Sequence, residues 1–144
     1  MRKFVAFLVL FYAMAVTPAF AQQAEQATKD KVKKAQDAAQ LWLASADAGS
    51  YDKTWDDAAA LFQQAVTKAD WKTAVTTVRA PLGNLKNRSV SSATFAENLP
   101  GAPKGEYVVI EYASEYAQRG KVVETVTPML AQDGTWKVAG YYVK

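Results

Sequence analysis

The 144-residue chain contains no cysteine and no histidine. Without cysteine there is no disulfide framework, no thiolate nucleophile and no residue to carry a lipid anchor. Stability must then come from packing alone. Without histidine the commonest general base and the commonest zinc ligand are both missing. Hydrolases built on Ser-His-Asp or Cys-His are thereby excluded. Charge of one sign is also scarce. Once Arg2 and Lys3 are set aside, 15 basic side chains face 14 acidic ones. So balanced a surface projects little field towards nucleic acid or anionic membranes, and nucleic acid is not an expected partner. No P-loop or dinucleotide fingerprint occurs, and no cofactor is expected.

Long apolar runs are limited to one. Phe4 to Val16 follows Arg2 and Lys3, and Thr17-Pro18 breaks it before Ala19-Phe20-Ala21. That order is the layout of a secretory signal peptide with an A-x-A site, so cleavage is expected after Ala21. A run of roughly 13 residues falls short of the roughly 20 that span a bilayer. The expectation is an exported protein, periplasmic or extracellular, with no membrane anchor after signal removal. Residues 22–30 read as a flexible N-terminus and 31–144 as one domain, a usual size for a single core.

Three helices are expected first. Val32, Ala35, Ala39, Trp42 and Ala46 recur at helical spacing from about Asp30, with Gly49 as the stop. A second helix is expected from Asp52 towards Val66, with Trp55, Ala58, Ala59, Phe62 and Val66 on one face. A third begins near Asp70, points Trp71, Val75 and Val78 inward, and ends before Pro81 and Gly83. Four strands follow: a weak one over Ser89–Phe95, then Glu106–Gln118, Lys121–Gln132 and Thr135–Lys144, after a Pro/Gly-rich loop at Leu99–Gly105. Arg119-Gly120 and Asp133-Gly134 read as hairpin turns. Helices first and a meander afterwards imply an α+β domain, three helices packed on a four-stranded antiparallel sheet.

If both turns are two-residue loops, Tyr116 faces Val123, Ile110 faces Met129, and Met129 faces Val138. Val108, Ile110, Tyr112, Val123, Met129, Trp136, Val138 and Tyr142 then share the face under the helices. Pro128 sits awkwardly in its strand, where a bulge would shift the pairing. The opposite face collects Tyr107, Glu111, Glu115, Glu124, Lys137 and Tyr141, with Val109 and Val126. The same count sets Glu115 directly across from Glu124. They read as solvated glutamates relieved by Lys121 or Lys137; the alternative is a carboxylate pair with one raised pKa. A three-residue loop would undo that pairing.

Other residues have two readings each. Trp42, Trp55, Trp71 and Trp136 stand at core spacing and read as core rather than as a carbohydrate platform, which leaves Tyr107 and Tyr141 as the better candidates for an exposed patch. Arg79 and Arg88 flank Pro81-Leu82-Gly83; they read as ties to loop carbonyls, with an anion clamp as the alternative. Asp56-Asp57 suits a helix first turn and lacks the neighbours a metal would need. Asn87-Arg88-Ser89 matches a glycosylation sequon, relevant only in a eukaryote.

Several short matches carry a resemblance. They are Trp55-x-x-Ala58-Ala59-x-x-Phe62, Trp71, Arg79-x-Pro81-Leu82-Gly83, Arg88, Leu99-Pro100-Gly101-x-Pro103-x-Gly105-x-Tyr107, Glu124 and Gly134-x-Trp136-Lys137-Val138-x-Gly140-Tyr141. In this order they resemble a family of small exported bacterial proteins known as domain of unknown function 4019, over roughly Ala38 to Val143. The resemblance implies a bacterial periplasmic or secreted protein and brings no catalytic residues. Members often carry a lipid-modified cysteine after the signal; this chain has none, which implies a soluble form. The element order also looks like the cone-shaped folds similar to nuclear transport factor two or to cystatin, an analogy at fold level. The expected function is a non-catalytic module binding a small ligand or another envelope protein. The alternatives are a small isomerase- or dehydratase-like cavity enzyme using Glu115, Glu124 and Tyr107, with Arg79, Arg88 and Tyr141 as binding candidates, and an assembly or adhesion module with an apolar patch or free sheet edge.

Overall fold

A computed structural model describes residues 18–144 of the chain. The basic start and the apolar run lie outside the described residues. Helix α1 spans Pro18–Asp47 and so begins well before the expected Asp30. Ala21 and the segment 22–30 lie within it, almost wholly exposed. Its inward stripe is the expected one, with Ala35, Ala39, Trp42 and Ala46 buried and Leu43 added. Gly49 ends it with φ +73°. The Gly49 N–H donates to the Ala46 carbonyl and the Ser50 N–H to that of Ser45, at 3.0 and 2.9 Å. Both bonds satisfy carbonyls that a helix end leaves open.

The expected second helix is two. Helix α2 covers Tyr51–Asp56 and α3 covers Ala60–Ala65. The break falls at Ala58-Ala59, where the Ala59 N–H leaves the helical ladder to meet the Val138 carbonyl at 2.8 Å. A tertiary bond replaces an intrahelical one, with no glycine or proline to announce it. Helix α4, Lys68–Arg79, starts at Thr67, whose hydroxyl accepts the Asp70 N–H at 3.1 Å. Its inward stripe is Trp71, Val75 and Arg79. Val78, expected inside, is exposed. A short 3-10 turn at Ala80–Leu82 follows. There are thus four α-helices among the described residues, not three.

Strands β1 (Leu85–Ala96), β2 (Tyr107–Tyr116), β3 (Gly120–Leu130) and β4 (Trp136–Val143) form an antiparallel meander in sequence order. Neither hairpin uses the expected two-residue loop. Tyr116 pairs with Gly120 across three residues, and Ala131 N–H bonds the Thr135 carbonyl across Gln132, Asp133 and Gly134. The first change alters the parity of β3. Val122, Glu124, Val126 and Pro128 turn inward, and Val123 and Met129 leave the core. Glu115 now faces Lys121, and Glu124 faces Tyr112, so the expected glutamate pair does not exist. The register does shift at Pro128, where β4 inserts Ala139 between Val138 and Gly140. Beyond that bulge Tyr141 turns inward and Tyr142 outward, the reverse of expectation.

The core lies between the sheet and the helices. Val108, Ile110, Val126 and Val138 meet Leu43, Trp42, Phe62, Trp71 and Val75 there. Burying each such aliphatic side chain is worth roughly 1.5–3 kcal/mol. The tryptophans belong to this core, as expected. Trp42 donates its indole N–H to the Thr54 carbonyl and Trp71 donates to the Thr54 hydroxyl, at 2.8 and 2.9 Å.

Candidate functional site

The inverted parity of β3 carries a carboxylate into the interior. Glu124 is 0% exposed and accepts five hydrogen bonds. Arg79 Nη1 donates at 3.2 Å, Tyr116 O–H at 2.9 Å and Tyr141 O–H at 2.6 Å, all to Oε1. Arg88 Nε at 2.7 Å and Ser114 O–H at 2.5 Å donate to Oε2. Each donor arrives by the logic of its element. Arg79 is the last position of the α4 stripe. Arg88 pairs across the sheet with Ser114, and both sit on the helix-covered face. Tyr141 owes its inward course to the Ala139 bulge.

Asp47 closes the network from outside. It accepts Arg79 Nη2 at 2.5 Å and both Arg88 Nη atoms at 2.7 and 3.0 Å. It is the last residue of α1, where the helix dipole disfavours an anion. The two guanidiniums offset that penalty. Arg79, by contrast, ends α4 with the sign the dipole prefers. The four charges balance, which is the condition for burying them.

The environment sets the protonation states. Burial alone would raise the Glu124 pKa, but bonds from Arg88, Ser114 and Tyr141, with the Arg88 charge, hold it below the ordinary value. Burial would likewise lower the Arg88 pKa, and Asp47 and Glu124 more than reverse it. Burial and the Glu124 charge push the Tyr116 phenol up to about 12 and raise Tyr141 as well. The network is a set of fixed ions and neutral phenols at neutral pH.

The sequence-level candidates separate into two groups. Arg79, Arg88, Glu124 and Tyr141 come together, though the arginines hold carboxylates rather than loop carbonyls. Tyr141 is no exposed patch: its ring packs 5.2 Å from that of Trp42. Tyr107 is also buried, at 1% exposure, and donates to the Pro103 carbonyl at 2.8 Å. Its partner across β2–β3 is Met129, five positions along β3 from Glu124 and so roughly 17 Å away at strand spacing. Glu115 lies on the uncovered face and accepts from Asn87 at 3.0 Å. The three residues an acid–base enzyme would need do not meet. Asp56 and Asp57 pair with Lys68 and Lys53, and no acidic cluster able to hold a metal occurs among the described residues. Sequence reasoning missed Asp47, Ser114 and Tyr116. An acid at the wrong end of a helix was the available signal for the first; the others needed the true hairpin register.

One concavity of about 780 Å³ lies apart from this arrangement, between α1, α2 and the start of β4, where Leu41 and Trp136 flank it. Two of about 330 Å³ each meet at Asp47. One runs between α1 and β1 past Arg88 to Tyr112, the other past Arg79 and Gly83. No helix among the described residues is long and apolar enough to cross a membrane. No curated protein matches the chain. A family model does match residues 38–141, a span that takes in the whole network from Asp47 to Tyr141, and the chain belongs to the family described as protein of unknown function (DUF4019).

Proposed function

We propose that the chain is an exported, non-catalytic binding module whose site for a small ligand lies where the charged network reaches the surface around Asp47. The observation that carries this reading is the saturation of Glu124. A carboxylate offers about four lone-pair sites, and five protein donors already fill them. No position remains from which it can exchange a proton with a substrate. The two grooves at Asp47, in contrast, reach Arg88 on one side and Arg79 on the other, beside a carboxylate that is itself partly exposed. The signal-like N-terminus supports export, in a bacterial periplasm or outside the cell. The order of four helices before a meander supports a cone-like arrangement similar to nuclear transport factor two or cystatin.

Native mass spectrometry of the mature protein, purified gently from periplasm or medium, tests this. The expected result is a bound species above the chain mass that Arg88→Ala diminishes. A second envelope protein in its place would turn the reading from ligand to partner. A bare chain in every preparation would overturn it.

A further inference from the structure

We propose that the groove between α1 and β1 is a binding site for a small carboxylate, with Arg88 and Tyr112 as its two donors and Asp47 as a built-in competitor. The proposal rests on reading the domain as a binding module and names the chemistry of its ligand. Tyr112 supplies the first observation. It is 2% exposed, yet its hydroxyl has no hydrogen-bond partner among the described residues. Tyr112 lines the groove of about 330 Å³ that also reaches Arg88. A buried hydroxyl left unpaired is costly, and an acceptor arriving in the groove would remove that cost.

Arg88 supplies the second. Of its five N–H groups, Nε serves Glu124 and Ser114, and Nη2 serves Asp47 and Tyr116. Nη1 serves only Asp47, so one of its two N–H groups is uncommitted. The Asp47 carboxylate already lies bidentate on this guanidinium, which shows that the outer edge of Arg88 accepts a planar carboxylate. Asp47 is partly exposed and also bound to Arg79, so it keeps a partner if it yields Arg88 to a ligand. The remaining walls are mixed, Gln40 and Ser89 beside Leu43, Ala44 and Val90, and leave room for only a short tail. The volume lies at the lower end of the range for ligand sites, which suits a small acid.

The test is an NMR titration of the mature chain with acetate, butyrate and isovalerate, with butyramide as the uncharged isostere. Saturable shifts at Tyr112, Val90 and the Arg88 side chain are expected with the acids and not with butyramide. Asp47→Asn removes the competitor and should tighten butyrate by about tenfold. Tyr112→Phe should weaken it by roughly threefold or more. Val90→Trp, at an exposed site outside the network, should fill the groove and abolish binding, and it keeps the test sound if Asp47→Asn unfolds. Equal binding of butyramide would overturn the carboxylate assignment. Unchanged affinity in Tyr112→Phe would overturn the donor pair. No saturable shift in either the native chain or Asp47→Asn would overturn the site, while a retained molecule in the native mass spectrum would still support the broader reading.

Discussion

Glu124 and Glu115 are nine positions apart on one hairpin and live in opposite regimes. Glu115 is half-buried on the open face of the sheet, opposite Lys121 and beside Asn87. Water is available to it when its partners move. Glu124 is fully buried and held by its five donors. Glu124→Gln would leave two buried guanidiniums sharing Asp47 and would turn an amide NH₂ towards groups that are themselves donors. Removing one member of a buried ion network costs about 3–5 kcal/mol. Urea denaturation should therefore show a loss of that order for Glu124→Gln, about 2 kcal/mol for Tyr141→Phe, which removes two hydrogen bonds, one given to Glu124 and one accepted from Arg79, and under about 0.5 kcal/mol for Glu115→Gln. Similar losses in all three would mean that Glu124 is not the hub.

The elements show which parts of this arrangement were legible. Helix stripes with strong periodicity, such as Ala35-Ala39-Trp42-Ala46, led directly to the buried face. The element order gave the α+β class for the same reason. The hairpins did not yield, because Asp-Gly and Arg-Gly suit a two-residue loop and equally a longer one with glycine at positive φ. That ambiguity of one residue decided whether Glu124, Val126 and the start of β3 faced water or the core. Arg79 was hidden differently: it continues the Trp71-Val75 spacing, but a charged residue is not read as core. Gly83 marks another element boundary that sequence underdescribes. It has φ +77°, and a Cβ there would stand 2.8 Å from Gln118 Cγ and 3.1 Å from the Gln118 backbone nitrogen. Gly134 has φ +82° with open space around it. Both substitutions by alanine should cost about 1–2 kcal/mol for the left-handed backbone. Gly83→Ala should cost measurably more, because the 3-10 turn and the β2–β3 loop must also separate. Equal midpoints in urea would show that this junction gives way freely.

At the scale of the whole molecule the network is a fastening. Asp47 comes from α1, Arg79 from α4, Arg88 from β1, Ser114 and Tyr116 from β2, Glu124 from β3 and Tyr141 from β4. With no disulfide to join them, the order of the helices over the sheet depends on these ions staying ionised. The Glu124 pKa lies below its ordinary 4.5 in the folded chain. Below that pH the unfolded chain takes up the proton more readily, so the contribution is complete above about pH 4.5 and is lost as pH falls through the folded value. Tyr116 works in the other direction. Its pKa rises from 10.0 to about 12, so its contribution is complete below about pH 10 and is lost as pH climbs through about 12. Glu25 and Asp133 are also held low, but both are fully exposed and screened, so they carry little of the acid limb. Thermal denaturation against pH should show a plateau between these limits and a fall on each side. In Glu124→Gln the acid limb should flatten, and the tyrosinate absorbance of Tyr116 should appear at lower pH, because the repelling carboxylate is gone. An acid limb unchanged by Glu124→Gln would show that the buried Glu124 carboxylate is not the source of the acid sensitivity, and the fastening would lose its centre in the core.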